Sequence, residues 1–472
     1  MSSRSIRRRA MMLSATAALA ACAAPAMPPL PEVALPSAYA APLAASAAGG
    51  MAMPATDWWT AYGDARLDQL EADVDASNFS LARALAQLRR ARAEVDAQAA
   101  ARQPQAALAA DAERDHTSAN IVGHSLAGRT VDDHTIGATA SWEPDLFGRI
   151  DLQVSAARAD AEASAADVAA LRLSLHAEVA HDLLAVRALD AEQTLLARAL
   201  ADAQALLELT RSRLAAGTAS ELDVDQSEQE LQSLQAQLVD LAATRTALVD
   251  ALATLTGRAA AGFVVDAARF EDRVPETAPG LPSALLQRRP DIAAAARRVD
   301  ATNARAGLAQ RAWFPDIVLS LAAGFESTAL GPLLALPSRS WAVGPGVTLP
   351  LFDGGRRRAG QAQAAADVDA AAAGYRETVI SAVNEVETQL ATLHTLRAEA
   401  DHQERAVHWA GRATEVARAR YAAGASSYVD VLVAQRAQIT TERAALDVER
   451  RRLQASVDLA QALGGGWCDA AG

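Results

Sequence analysis

The run Leu214-Ala-Ala-Gly217-Thr-Ala-Ser220 recurs 207 residues later as Tyr421-Ala-Ala-Gly424-Ala-Ser-Ser427. Recurrence at a fixed offset indicates an internal repeat, in which one structural unit is present twice. The same offset maps Gly148 onto Gly355, Glu178 onto Glu385, Asp223 onto Asp430 and Gly257 onto Gly464. Pro104 maps onto Pro315 with an offset of 211, so a loop of variable length is expected between Pro104 and Gly148.

The sequence of each copy predicts three helices, and the middle helix is very long. They span Leu81–Gln103, Arg149–Ala216 and Ser220–Thr256 in the first copy, and Ile292–Phe314, Arg356–Ala423 and Ser427–Leu463 in the second. Ser80 and Asp291 stand where N-caps are expected, and Gly217 and Gly424 where C-cap glycines are expected. A long helix would measure about 100 Å, and the two shorter ones together about 90 Å. We therefore expect two short helices stacked beside each long one.

Leucine spacing in the last helix of the first copy follows a heptad pattern. The positions are Leu231, Leu234, Leu238, Leu241, Leu248, Leu252 and Leu255. Such spacing is typical of coiled-coil seams rather than of the wider apolar stripe of a globular helix. Alanine is abundant between the seams, so a second face can also approach a neighbouring helix closely. The pattern predicts a wall or cylinder of helices.

Four short segments alternate between apolar and small or polar residues. Ile136, Ala138, Ala140 and Trp142 form one apolar face, and Val343 and Val347 belong to another. This alternation is typical of outer-membrane strands, and it predicts hairpins at 105–147 and 316–354. Single-chain bacterial barrels begin at eight strands, so four strands require an oligomer. Two copies would give a filled barrel, whereas three would give twelve strands and room for a pore.

The N-terminus has the features of a bacterial lipoprotein signal. Basic residues precede a short apolar stretch that ends Leu19-Ala20-Ala21-Cys22, a lipobox-like sequence in which Cys22 would be lipidated. A plain signal peptide with an incidental cysteine is the alternative. The following Pro/Ala-rich residues predict an extended tether without a core of its own. No later apolar run is long enough to suggest a membrane-spanning helix.

These observations divide the chain into seven segments. They are a signal peptide (1–21), a lipid-anchored tether (22–55), an N-terminal segment expected at the equator of the helical wall (56–80), repeat 1 (81–257), an inter-repeat segment expected at the same level (258–290), repeat 2 (291–464) and a C-terminal tail (465–472).

Charge and motifs argue against several function classes. The formal net charge of −13 is opposite to the basic face expected of a nucleic-acid-binding protein. Neither a phosphate-binding loop, a nucleophile elbow nor a zinc-protease motif is present, so no enzyme, cofactor or metal is predicted. His176 and His181 are expected to be packing or wall residues. Three histidines in or beside a predicted outer loop are expected to be solvated, with a metal site as the alternative: His116, His124 and His134.

Several further motifs together resemble one family. They are Asp57-Trp58-Trp59, Tyr62-Gly63-Asp64, Ser141-Trp142-Glu143-Pro144-Asp145-Leu146-Phe147-Gly148-Arg149, Leu285-Leu286-Gln287-Arg288-Arg289-Pro290-Asp291-Ile292, Phe314-Pro315, Leu351-Phe352-Asp353-Gly354-Gly355-Arg356, Arg420-Tyr421 and Ala462-Leu463-Gly464-Gly465-Gly466-Trp467. The sequence resembles the outer-membrane efflux factor family, the TolC-like channels, and within it the NodT-type lipoproteins. The resemblance covers roughly residues 55–467.

This resemblance implies a mainly α-helical fold with a small β part. The expected assembly is a homotrimer with a 12-stranded outer-membrane barrel and a periplasmic tunnel of twelve helices. Its implied function is the exit duct of a tripartite efflux pump, whose partners are a periplasmic adaptor and an inner-membrane RND-type transporter. A protein-secretion duct and a non-transporting coiled-coil envelope lipoprotein remain as alternatives.

The resemblance also suggests roles for the two helix turns. Gly217, Thr218, Gly424 and Ala425 would contact the adaptor, although both glycines could be C-caps only. Tyr421 and Val429 match gate positions of relatives. Many relatives have Asp before Ala-Gln-Arg, whereas Val433 stands there in this chain. Any carboxylate ring must then come from Asp430, Asp223 or Asp225; the alternative is that all three are solvated.

Overall fold

The computed structural model describes residues 29–40, 57–121, 123, 125–270, 274–275 and 280–467. Its described part divides into two compact units. The first unit contains the described residues within 29–31, 87–164 and 295–375, and the second contains the described residues within 32–86, 165–294 and 376–467. The predicted signal peptide and Cys22 lie outside the described residues.

The helices follow the predicted duplicated order. The N-terminal segment contains α1 (Ala65–Ser77), and the first copy contains α2 (Phe79–Ala100), α3 (Arg149–Ala215) and α4 (Glu221–Leu255). The inter-repeat segment contains α5 (Leu285–Arg288), and the second copy contains α6 (Pro290–Arg311), α7 (Arg356–Ala422) and α8 (Tyr428–Ala462). The long helices α3 and α7 have 67 residues each, and α4 and α8 have 35 each. The three helices predicted for each copy are confirmed, with ends displaced by at most three residues.

Two predicted N-caps are wrong. Helix α2 begins before Ser80, and the carboxamide oxygen of Asn78 accepts a hydrogen bond from the Leu81 amide at 2.9 Å. Helix α6 begins with Pro290 in the first turn, so Asp291 lies inside the helix. Proline is favoured there because its missing N–H would have no partner within the helix.

Four antiparallel strands form one sheet in the first unit. They are β1 (Gln105–His116), β2 (Thr130–Trp142), β3 (Asp316–Ser327) and β4 (Arg339–Thr348), paired in that order. Direct partners include Asp111 with Thr135 and Thr135 with Glu326. Because alternate residues point to opposite faces, the register places Asp111, Glu113, Asp133 and Glu326 on one face. The opposite face carries apolar residues: Leu108, Ile136, Leu321, Trp341 and Val343.

The core of the second unit joins the N-terminal segment to the helices. Trp58, Leu67 and Leu70 are fully buried there with Leu183 of α3 and Leu252 of α4. A separate buried seam contains the predicted heptad leucines Leu231, Leu234 and Leu241 with residues of α3. The coiled-coil pattern therefore marks a packed α3–α4 contact.

The two copies close their last helix in the same way. In repeat 1 the Asn78 carboxamide donates to the Leu255 carbonyl at 2.8 Å, and in repeat 2 Arg289 donates to the Ala462 carbonyl at 3.0 Å. Leu255 and Ala462 are related by the repeat offset of 207. The duplication thus extends to the hydrogen bonds that end each repeat.

Of the helices in the described residues, none has both the length and the apolar character required to cross a membrane.

Candidate gate at the helix turns

Each turn between a long helix and the helix that follows is closed by a glycine. Gly217 and Gly424 have φ angles of 71° and 75°, in the left-handed region that favours glycine. The Thr218 amide donates to the Arg213 carbonyl and the Ala425 amide to the Arg420 carbonyl, both at 2.8 Å. This hydrogen bonding satisfies the last free carbonyls of the long helices. The structure thus accounts for both glycines as C-caps.

The predicted gate carboxylates take part in helix capping. Asp223 accepts hydrogen bonds from the amide and hydroxyl of Ser220, both at 2.9 Å. Asp430 accepts the same pair from Ser427, both at 3.0 Å. In return each serine hydroxyl accepts a backbone N–H three residues later, which completes a capping box. Asp225 lies one turn inside α4 and is exposed. A role of these carboxylates in a constriction remains a prediction.

Tyr421 lies in a buried cluster that joins the two copies. Its hydroxyl is 3.2 Å from the Thr210 hydroxyl of α3, and its ring packs edge-on against Tyr428. The Arg213 guanidinium lies 4.4 Å from the centre of the Tyr421 ring and also donates to the Tyr421 carbonyl at 2.5 Å. Tyr421 therefore holds α7 against α3 close to the turns. Val429 is 45% exposed and lies outside this cluster.

Three arginines of repeat 2 bind carboxylates of repeat 1 further along the helices. Arg418 donates to Asp202 at 2.6 Å, Arg436 to Glu230 at 2.7 Å and Arg443 to Glu192 at 2.6 Å. Sequence reasoning missed these pairs, because heptad spacing does not say which charged positions of two helices face each other. Together with Tyr421, they form the between-repeat bonds of this region.

Arg289, in the most distinctive motif, is a structural junction. It is 8% exposed, donates to Asp291 on α6 and to Glu385 on α7 at 2.7 Å, and ends α8 through the Ala462 carbonyl. Burial lowers the pKa of its guanidinium, but the bonds to Asp291 and Glu385 outweigh burial, and the net shift is upward. The motif therefore ties three helices together.

The histidines are packed in different ways. His176 is buried against Glu71, and His181 lies 2.8 Å from Asp458 at a more exposed position. His116 lies 2.8 Å from the Thr130 hydroxyl on the neighbouring strand, and His124 is outside the described residues.

Residues 32–40 of the predicted tether belong to the second unit. Residues 29–40 form neither helix nor strand, in keeping with their prolines. Tyr39 is nevertheless buried, and the Ala40 amide donates to Glu387 of α7 at 2.6 Å. The sequence predicts an extended segment without a core of its own, and the described end of that segment contacts α7 through Ala40.

Comparison with known proteins identifies the family. The family described as Outer membrane efflux protein matches residues 72–258 and 281–465, one match for each repeat. The outer membrane protein OprJ of Pseudomonas aeruginosa is 34% identical over 443 residues, which is 91% of each chain. The pyoverdine export outer membrane protein OpmQ of the same species is 32% identical over 415 residues, 87% of each chain.

Solved structures agree with this result. The crystal structure of the outer membrane protein VceC from Vibrio cholerae superposes with a TM-score of 0.79 at 28% identity, covering 87% of this chain and 99% of that one. The expected fold, with a duplicated helical repeat and four strands per chain, is confirmed. Proteins of this kind are trimeric outer-membrane components of efflux pumps and act with an adaptor and an inner-membrane transporter. The chain belongs to the outer membrane efflux protein family.

Proposed function

We propose that three copies of this chain form an outer-membrane exit duct that passes drugs or other small molecules out of the periplasm. The observation that carries the proposal is the family match to both repeats of a chain with four strands. Three such sheets supply twelve strands, enough for a closed barrel that leaves a pore. A periplasmic adaptor and an RND-type transporter would complete the pump, and the duct itself would perform no catalytic step.

Conductance tests this function directly. Purified protein, shown to be trimeric in detergent, is added to a planar lipid bilayer and the current is recorded. Discrete conductance steps are expected. A correctly folded trimer that never conducts, even when the between-repeat bonds are removed as described below, would contradict the proposal.

The between-repeat bonds near the turns would hold the duct closed. Arg418–Asp202 and the Tyr421 cluster join helices of different repeats, so widening the tunnel end by separating those helices must break them. An Asp202→Asn variant should open more often, because the charged partner of Arg418 is removed. A charge exchange, Asp202→Arg with Arg418→Asp, should restore closure.

The matched control is an ion pair within one repeat. Arg211 of α3 donates to Glu228 of α4 at 3.0 Å, and both lie in repeat 1. Arg211→Ala should leave the open probability unchanged. Equal opening in the Arg211→Ala and Asp202→Asn channels would show that the between-repeat bonds have no special part in gating.

Asp430 is the carboxylate that we assign to the constriction, supported by its exposed position in the first turn of α8. Asp223 and Asp225 would contribute from α4. Neutralising a charge at a narrow point reduces the preference for cations, so an Asp430→Asn channel should show a smaller reversal potential in a potassium chloride gradient. Unchanged cation selectivity would contradict this assignment.

The tips and the N-terminus would provide the remaining contacts. Gly217, Thr218, Gly424 and Ala425 would meet the adaptor, since the turns that carry them are exposed and free of large side chains. Lipid on Cys22 would add an anchor in the outer membrane. Mass spectrometry of the mature N-terminus tests the lipid: a diacylated Cys22 is expected, and an unmodified cysteine would contradict it.

A further inference from the structure

A buried acid–imidazole pair connects the N-terminal segment to the long helix α3. Glu71 of α1 is 0% exposed, and one of its carboxyl oxygens, Oε2, is hydrogen-bonded to Nδ1 of His176. The other oxygen, Oε1, is buried and has no hydrogen-bond partner among the residues that the structure describes. A charged carboxylate needs several donors when it is removed from water, and this one has a single nitrogen. The geometry therefore suits a carboxyl group that shares a proton with the imidazole.

The surroundings hold His176 in a fixed orientation. Its Nε2 lies 3.4 Å from Asp75, one turn further along α1, and Arg172 of α3 donates to that same carboxylate at 2.5 Å. The Trp59 ring stacks on the imidazole with a centroid distance of 4.5 Å and an interplanar angle of 20°. Both ring nitrogens thus face carboxylates, and one ring face is covered.

Few other charges act on the pair. Asp68 and Asp75 of α1 add negative charge, and Arg172 of α3 neutralises part of it. Asp57, which precedes the buried Trp58, lines the same cavity of about 390 Å³ as His176. Burial raises the pKa of Glu71 to about 7, and the hydrogen bond from His176 limits the rise. The negative neighbours act in the same direction as burial.

We propose that Glu71 and His176 form a proton-dependent latch, which fastens residues 58–77 to α3 while the pair holds its proton and loosens when the proton leaves. Without the proton, Glu71 would be a buried carboxylate whose Oε1 has no hydrogen-bond donor within the described part of the chain. An outer-membrane protein meets the pH of the surrounding medium, so the latch would tighten on acidification. It would affect how firmly the N-terminal segment is held, whatever the cargo of the duct.

The direction in which pH changes the stability of this contact follows from proton linkage. The pKa of Glu71 is raised in the folded protein, so the folded state binds a proton that the unfolded state, with a pKa of 4.5, has released. This contribution to stability is fully present below pH 4.5 and is lost as the pH rises to about 7. The α1 helix should therefore open more readily at pH 8 than at pH 5.

Amide hydrogen exchange of the purified full-length trimer in detergent tests the latch. Exchange is measured from pH 5 to pH 8 and corrected for the intrinsic pH dependence of amide exchange. In wild type, the protection of α1 amides should fall about tenfold or more over this range, because each pKa unit corresponds to a factor of ten. Amides of α4 serve as the internal reference. In a Glu71→Gln variant, the fall should disappear.

Two variants separate the latch from its neighbours. His181 and Asp458 form a second histidine–carboxylate pair with side chains 25% and 40% exposed, so Asp458→Asn should keep the wild-type pH slope. Burial, with help from Glu178, raises the pKa of Asp182 to about 6, so this residue titrates in the same range. In the Asp182→Asn variant, the protection of α1 amides should also depend on pH as it does in wild type.

If the Glu71→Gln variant does not fold, the wild-type and Asp182→Asn measurements still test the latch. A wild-type α1 whose protection does not depend on pH overturns the proposal. So does an Asp182→Asn protein that loses the slope, since the titration would then belong to Asp182. A folded Glu71→Gln trimer that keeps the wild-type slope overturns it as well.

Discussion

At the scale of single residues, the repeat is fixed by contacts that admit little variation. Gly257 and Gly464 follow the last helix of each copy, and both have positive φ angles, 70° and 89°. A Cβ atom on Gly257 would overlap the Ser77 carbonyl oxygen, and one on Gly464 would overlap that of Arg288. Ser77 and Arg288 are equivalent by the offset of 211. Both glycines therefore permit the same close approach of two backbone segments.

Replacing Gly257 should cost much more than replacing a glycine with the same backbone angle in open space. Gly217 has a φ of 71°, and apart from its chain neighbours no atom of the described residues lies within 4 Å of the position that an added methyl group would occupy. Gly217→Ala should lower the free energy of unfolding by about 1 kcal/mol because of backbone strain. Gly257→Ala should cost about 2 kcal/mol more, because it adds a steric clash with backbone. Thermal unfolding midpoints of both variants check this, and similar midpoints would contradict it.

Arg289 should contribute more to stability than an exposed arginine. Its side chain is 10% exposed and holds two carboxylates and one carbonyl, so Arg289→Ala should destabilise by about 3 kcal/mol. Arg211, 50% exposed and paired with Glu228, is the control, and Arg211→Ala should cost less than about 1 kcal/mol. Denaturant titration of both purified variants measures the difference. Equal losses would show that the Arg289 junction is not important for stability.

At the scale of elements, the sequence predicted what depends on local chemistry. Pro104, Gly217 and Gly424 ended helices close to where they were expected, and strand alternation predicted which residues share a face. The wrong cap at Ser80 involves a contact distant in sequence: Asn78 is also a good N-cap, and its carboxamide additionally donates to the Leu255 carbonyl. The tyrosine cluster and the between-repeat ion pairs could not be predicted, because they depend on the rotation of one helix against another.

The capping boxes give a prediction at this scale. Ser427 caps α8 and is bonded to Asp430, so Ser427→Ala should destabilise the turn by about 1 kcal/mol. The loss should appear as faster hydrogen exchange in the first turn of α8. Ser426, beside it, takes no part in the capping box, so Ser426→Ala should leave that exchange unchanged. Equal exchange in the two variants would mean that the box contributes nothing measurable.

At the scale of the whole molecule, the duplicated sequence accounts for one chain but not for its complete assembly. Four strands and two helix turns per chain follow from the repeat, whereas a closed barrel needs further copies. The strand count alone allowed two copies or three. Family membership supplies the trimer and the efflux partners, which no residue pattern within one chain specifies.

The most direct test of the account is the accumulation of a fluorescent dye and of antibiotics in cells that lack this gene. The cells are complemented with wild type or with Gly424→Asp, and the amount of trimer in the outer membrane is matched. We predict that loss of the gene raises accumulation and that wild type restores efflux. The Gly424→Asp trimer should fail, because a charged side chain at a left-handed tip position disturbs the adaptor contact. Full restoration by Gly424→Asp would contradict the role of the tip, and unchanged accumulation without the gene would contradict the efflux of these compounds.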